Sequence, residues 1–131
     1  MARLYIGDNP VKGVGVGSSY VSLVTARKVT GFNLTITSGT TAIANSAFHD
    51  ISIPILTIPA SVTSIGARAF YFCNIKKVYF AGNPPTLADN STIFGGNRDV
   101  KMYHKANNTN WTAAIKTDSY GGARNVTWGT Y

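Results

Sequence analysis

Residues 34–55 read LTITSGTTAIANSAFHDISIPI, and residues 56–77 read LTIPASVTSIGARAFYFCNIKK. The two stretches align without gaps and share eight identical positions over a 22-residue period. Self-similarity at a fixed period of this size marks a solenoid. Most of the shared positions are apolar or small: Leu34/Leu56, Ile36/Ile58, Ile43/Ile65, Ala47/Ala69, Phe48/Phe70 and Ile53/Ile75. Such side chains point inward, each stacked on its equivalent one coil later. Each repeat opens apolar, polar, apolar, the period-two pattern of a half-buried strand, so Leu56 and Ile58 face the core and Thr57 faces out. The rest of the coil turns through Pro59, Ser61 and Gly66 and returns through an Ala-Phe pair.

Working outward, residues 78–99 form a third, degraded coil, with Val78, Phe80 and Leu87 in register and Ile93 or Phe94 at the Phe position. A fourth strand begins at Val100 and Met102. Carried forward at 22 residues, the outward ladder is Thr35, Thr57, Tyr79 and Lys101, with neighbours Ile55, Lys77 and Asp99. Stacked coils place their strands side by side as a parallel sheet along one face.

The central coil resembles the BspA-like class of leucine-rich repeats, whose pattern runs approximately L-x-x-I-P-x-x-V-x-x-I-G-x-x-A-F-x-x-C. Leu56-Thr57-Ile58-Pro59, Val62, Ile65-Gly66, Ala69-Phe70 and Cys73 carry the match. The resemblance spans residues 34–103 and weakens to either side: Ile51 stands where the pattern has cysteine, and Asn83-Pro84-Pro85 interrupts the third coil. It implies a short solenoid and, from the Trp-containing helix that commonly follows the last coil in such proteins, a C-terminal cap.

A short array exposes apolar coil ends, and the flanks are expected to cover them. In the N-terminal β segment, residues 1–33, Tyr5-Ile6-Gly7-Asp8-Asn9-Pro10-Val11 is echoed by Gly15-Val16-Gly17-Ser18-Ser19-Tyr20-Val21, which reads as short strands joined by Gly and Asn turns, that is, hairpins. This beginning resembles those of tailed-phage tail, fibre and decoration proteins, and implies anchoring or oligomerisation. In residues 104–131, Asn107 to Lys116 predicts a short helix with Trp111 and Ile115 on one face and Asn108 or Thr109 as N-cap. A Gly121-Gly122 turn then leads to a terminal strand over Asn125–Tyr131.

Charged residues are only 13% of the chain, about half the share usual in a soluble domain. Twelve Lys and Arg against five Asp give +7, which favours an anionic partner. The basic residues form no run longer than Lys76-Lys77 or Arg27-Lys28, so no nucleic-acid motif emerges and a nucleic-acid partner is not expected. The lone Cys73 excludes an intrachain disulfide and a cysteine metal site, and reads as a small buried hydrophobe. No apolar run suits a secretory signal or membrane insertion, so we expect synthesis in a host cytoplasm. His49 and His104 read as turn residues, and the five Asp show no close pair. Gly13, Gly15 and Gly17 are not followed by a helical pattern, which sets aside a phosphate loop, and no serine sits in a nucleophile elbow. No enzyme activity and no cofactor are expected.

A binding surface remains. Tyr79 flanked by Lys77 and Lys101 suits a sugar ring bearing an acidic substituent. Tyr71 and Phe72, two aromatics directly after a core Phe, exceed what one coil buries and are candidates for an interface. The expectation is a mainly β fold: a short solenoid of three to four coils with an N-terminal β segment and a C-terminal helix-plus-strand cap. The expected role is structural, on a tailed-phage virion as capsid decoration, head fibre or tail-associated attachment protein. It would act as a homo-oligomer among other virion proteins and bind multivalently, a host-surface glycan among its candidate ligands. The alternative is a bacterial surface adhesin or glycan-binding module.

Overall fold

The computed structural model describes residues 33–36 and 38–131, together with two short strands, β1 (Tyr5–Ile6) and β2 (Asn9–Pro10). Those strands pair antiparallel, Tyr5 opposite Pro10 and Ile6 opposite Asn9, as the hairpin reading expects. The second half of the N-terminal echo lies outside the described residues.

Five strands form one parallel sheet in the order β10-β9-β7-β5-β3: β3 (Leu34–Thr35), β5 (Ile55–Ile58), β7 (Lys77–Phe80), β9 (Lys101–His104) and β10 (Thr127–Thr130). A second parallel sheet runs β4 (Ala42–Ile43), β6 (Ser64–Ile65) and β8 (Thr86–Leu87). The chain is therefore a short β-solenoid. Burial alternates along β5 and β7, with Leu56, Ile58, Val78 and Phe80 inside, because successive side chains of a strand point to opposite faces.

Between the sheets the coils bond to one another without regular strands: Phe48 N–H to Ala69 C=O, Phe70 N–H to Ile93 C=O and Phe94 N–H to Gly121 C=O. Inside this wall runs an aromatic ladder. Phe48 stacks on Phe70 with centroids 5.5 Å apart, Phe70 on Phe94 at the same distance, and Tyr120 sits 6.2 Å beyond Phe94. Each offset stack adds about 1 kcal/mol to what burial alone contributes.

Each coil must reverse direction in very few residues, so left-handed backbone recurs at equivalent turns. Ser46 and Arg68 hold one such position, and Asp50, Phe72, Gly96 and Gly122 hold another. Phe72 at φ +54° is the unusual member, since a side chain in this region costs about 1–2 kcal/mol.

The ladder registers correct the outward row expected from a constant 22-residue period. Leu34 pairs with Leu56 and Leu56 with Val78, but Val78 pairs with Met102 and Met102 with Trp128. Tyr79 therefore lies beside Tyr103, and Lys101 lies beside Lys77. Asp99 is outside the strand, in a left-handed turn whose carboxylate accepts a hydrogen bond from the Asn125 amide.

The predicted helix over Asn107–Lys116 is also corrected: the segment is a run of turns. Thr112 C=O accepts from both Ile115 and Lys116, and Thr117 N–H goes to Ile115 C=O, which ends the helical pattern after one turn. Upstream, Asn108 bonds the Asn110 amide through its own side chain, a local bond that competes with helix. Trp111 is held instead by its indole N–H on Gly82 C=O at 2.9 Å and by its ring against Phe80. The terminal strand is present as β10, paired with β9 along its whole length. His104, read from sequence as a turn residue, ends β9 on the inward row and is buried.

Candidate binding surfaces

The outer face of the five-stranded sheet carries two rows. One runs Ile55, Lys77, Lys101 and Thr127; the other runs Thr35, Thr57, Tyr79, Tyr103 and Gly129. On this face Tyr79 and Tyr103 stack at 4.9 Å with their planes 13° apart, because neighbouring strands of a parallel sheet set like rings one above the other. Tyr131 meets Tyr79 edge-on at 5.1 Å. Its own ring takes the Lys105 ammonium 4.0 Å from the centroid, a cation–π contact. Burial and the neighbouring Tyr79 raise the Tyr131 phenol above its ordinary pKa. Gly129 faces the Tyr103 ring, where any side chain would crowd it. Lys77 and Lys101 lie directly opposite one another, one pleat before the tyrosine pair.

The result is an aromatic platform edged by three ammonium groups, with no carboxylate in either row. Like charges opposite one another on adjacent strands oppose folding, so the Lys77–Lys101 pair gains when an anion is set between them. Of the residues singled out from sequence, Tyr79, Lys77 and Lys101 come together here. Tyr103, Tyr131 and Lys105 complete the group and were missed, Tyr103 because the third coil is longer than the period implied.

Tyr71 and Phe72 lie on a different part of the coil. Tyr71 is half-buried, stacked on His49 at 5.8 Å and meeting Phe72 edge-on at 4.5 Å. His49 Nδ1 lies 2.7 Å from the Asp50 carboxylate, within the turn where the sequence places it. Gly95 and Gly96 of the next coil form the bed for the two rings, since a methyl group at either would overlap them. Phe72 remains 54% exposed. With Tyr71, Gly96, Asn97, Arg98 and Arg124 it lines a surface depression of about 360 Å³.

The buried polar groups hold the coils together. Asn97 follows Cys73 in the same wall: its carbonyl accepts from Ile75 N–H at 2.8 Å and its amide donates to the Phe70 and Phe94 carbonyls at 2.9 Å. Cys73 donates its S–H to Phe48 C=O, the equivalent bond one coil earlier. Burial pushes the Cys73 thiol up to about 12, which keeps it protonated. His104 Nδ1 lies 2.9 Å from Lys105 C=O and its Nε2 lies 3.3 Å from the Lys116 ammonium. A ring protonated on Nδ1 alone satisfies both contacts. Among the described residues, no group of three His, Cys or Asp side chains is placed to hold a metal ion.

Coils that set Leu, Ile and Phe in an inward register, with Cys73 and Asn97 closing the turn, point to one repeat class. The family described as "BspA type Leucine rich repeat region (6 copies)" matches residues 28–111, more than half of the chain. The chain belongs to the BspA-type leucine-rich repeat family. No curated protein and no solved structure matches it significantly. No helix of the described residues is long and apolar enough to cross a membrane.

Proposed function

We propose that this BspA-type repeat protein is a non-enzymatic attachment module that binds a glycan on the outer face of its five-stranded sheet. The observation that carries the reading is the Tyr79–Tyr103 stack beside the opposed Lys77 and Lys101. Aromatic rings offer a sugar an apolar face, and flanking ammonium groups draw acidic substituents. Such a platform supplies modest affinity per copy, so attachment gains strength when several copies act together as a homo-oligomer.

The carrier we assign is a tailed-phage particle, either as decoration or fibre on the capsid or as part of the tail. Support comes from the N-terminal sequence resemblance and from the sparse charge. A bacterial cell surface is the second reading, favoured by the repeat family itself. Labelling intact particles and intact cells with antibody against the chain separates the two, and labelling of neither defeats surface display.

The binding test is a glycan array probed with the full chain and with Tyr103→Ala and Lys77→Ser/Lys101→Ser variants. Tyr103→Ala is expected to abolish retention of neutral glycans, and the double lysine variant to weaken retention of acidic glycans while leaving neutral ones bound. Unchanged retention of neutral glycans by Tyr103→Ala would overturn the assignment of this face.

A further inference from the structure

The depression at Phe72 unites three independent features. First, Phe72 occupies a left-handed turn position that the other coils fill with Asp50, Gly96 and Gly122, so a bulky ring is kept there at a conformational cost. Second, that ring beds on Gly96 and still leaves 54% of the residue exposed, so it does not serve to fill the core. Third, Arg98 and Arg124 form a bridge on adjacent coils, both exposed, and neither makes an ion pair among the described residues. Asp99, the acid next to Arg98 in sequence, is bonded to Asn125. Strain, an open aromatic surface and two adjacent guanidinium groups oppose folding or gain little from it; the open ring suits an apolar face of a ligand and the guanidinium pair suits an anionic group on it.

We propose that this depression is a second ligand site, built for a sugar ring that carries a carboxylate. Phe72 stacks on the apolar face of the ring, while Arg98 and Arg124 hold the carboxylate in the planar, two-pronged manner for which guanidinium is suited. A volume of about 360 Å³ lies at the small end of the range for ligand pockets, in keeping with one or two sugar units. The surrounding backbone favours a sugar over an acidic peptide. Phe72 N–H bonds Gly95 C=O, Asp99 N–H bonds Arg124 C=O, and Arg124 N–H bonds Asn97 C=O, so these amides are already committed between coils. An extended peptide would find no free ladder there. The site stands apart from the Tyr79–Tyr103 platform and does not depend on it.

The test is calorimetric titration of the full chain with trigalacturonate, with its methyl ester and with a triglutamate peptide. Saturable binding of trigalacturonate with Kd of about 1 mM or tighter is expected, the ester and the peptide each binding at least about tenfold more weakly. Arg98→Ala and Arg124→Ala should each weaken trigalacturonate about tenfold, and Phe72→Asn, whose side chain tolerates the left-handed turn, should do likewise. Tyr103→Ala should leave the component that depends on Arg98 and Arg124 unchanged, and the same titrations repeated in the Tyr103→Ala chain, whose sheet face is disabled, isolate this site. Circular dichroism of each variant verifies the fold. No saturable binding of trigalacturonate, equal binding of the ester or the peptide, or full affinity in folded Phe72→Asn would each overturn the proposal.

Discussion

Replacing Asn97 by alanine tests the account of how the coils are locked together. The side chain is 1% exposed, and it satisfies the Ile75 N–H and the Phe70 carbonyl from within the core. The Phe94 carbonyl also accepts the Asn97 backbone N–H and so keeps a partner in the variant. Truncation leaves two buried backbone groups unmet, each costing about 1–3 kcal/mol, so a loss of about 3–4 kcal/mol is expected. That is a large share of the roughly 5–15 kcal/mol that stabilises a domain, and it lowers Tm by about 10 °C or more. One coil earlier, Ile53 N–H bonds the Cys73 backbone carbonyl, so the residue there needs only a donor for Phe48, which a thiol supplies. Asn97→Cys should therefore restore the bond to Phe70, leave Ile75 unmet and recover about half of the loss. Urea unfolding followed by Trp111 and Trp128 fluorescence measures both, with an unchanged m value confirming that only stability has moved. A cost below about 1 kcal/mol for Asn97→Ala, or a cysteine variant as damaged as the alanine one, would refute the reasoning.

Cys73, fully buried and with its thiol pKa near 12, should resist a thiol reagent at pH 8 in the folded protein and react promptly in denaturant; labelling at equal rates in both would contradict its burial. Gly96→Ala meets both a φ of +77° and the Phe72 ring, so urea unfolding should show a loss of about 2–3 kcal/mol. The Asp89 carboxylate accepts from the Thr92 hydroxyl and from the Ser91 and Thr92 amides, which together hold its pKa below the ordinary 3.8. A depressed folded value means this contribution is present above pH 3.8 and is lost as pH falls through the lower folded value. The stability gap between the parent and Asp89→Ala should therefore be about 1 kcal/mol at pH 6 and shrink toward pH 2, and a gap that widened on acidification would reverse the sign assigned here.

What the sequence disclosed follows from what repeats. Leu34, Leu56, Ile43, Ile65, Phe48 and Phe70 recur at one period because each must land on its counterpart, so the inward register and the aromatic ladder were legible. Left-handed turns left weaker traces, since Ser46, Arg68, Asp50 and Phe72 share no side-chain type and only Gly96 and Gly122 announce their backbone. The candidate binding face was legible in composition and not in register. Lys77, Tyr79 and Lys101 were assigned to it, but the stacking partner Tyr103 was not, because a constant 22-residue step lands on Lys101. The helix expected at Asn107–Lys116 failed for a local reason: the Asn108 side chain bonds backbone, and Trp111 packs inward as a single anchor.

The growth of the coil explains how the platform arises. Steps along the main ladder lengthen after β7, yet Ile65 still pairs with Leu87 at the original spacing. The first extra residues therefore enter between Leu87 and Phe94, where Asp89 ties the Ser91 and Thr92 amides into a turn. The next enter between Met102 and Tyr120, across the segment anchored by Trp111 on Gly82. Both insertions fall on the side away from the five-stranded sheet, so the strands and the stacked aromatics stay in register while the far wall absorbs the slack. Main-sheet register is the more constrained, because a one-residue slip would turn Val78, Met102 and Trp128 outward and bury Tyr79, Tyr103 and the lysines. A coil that can lengthen only on its far side keeps its outward tyrosines aligned from strand to strand. That alignment is what a sugar-stacking face needs, and it is why the surface proposed for binding lies on the sheet whose registry the core enforces.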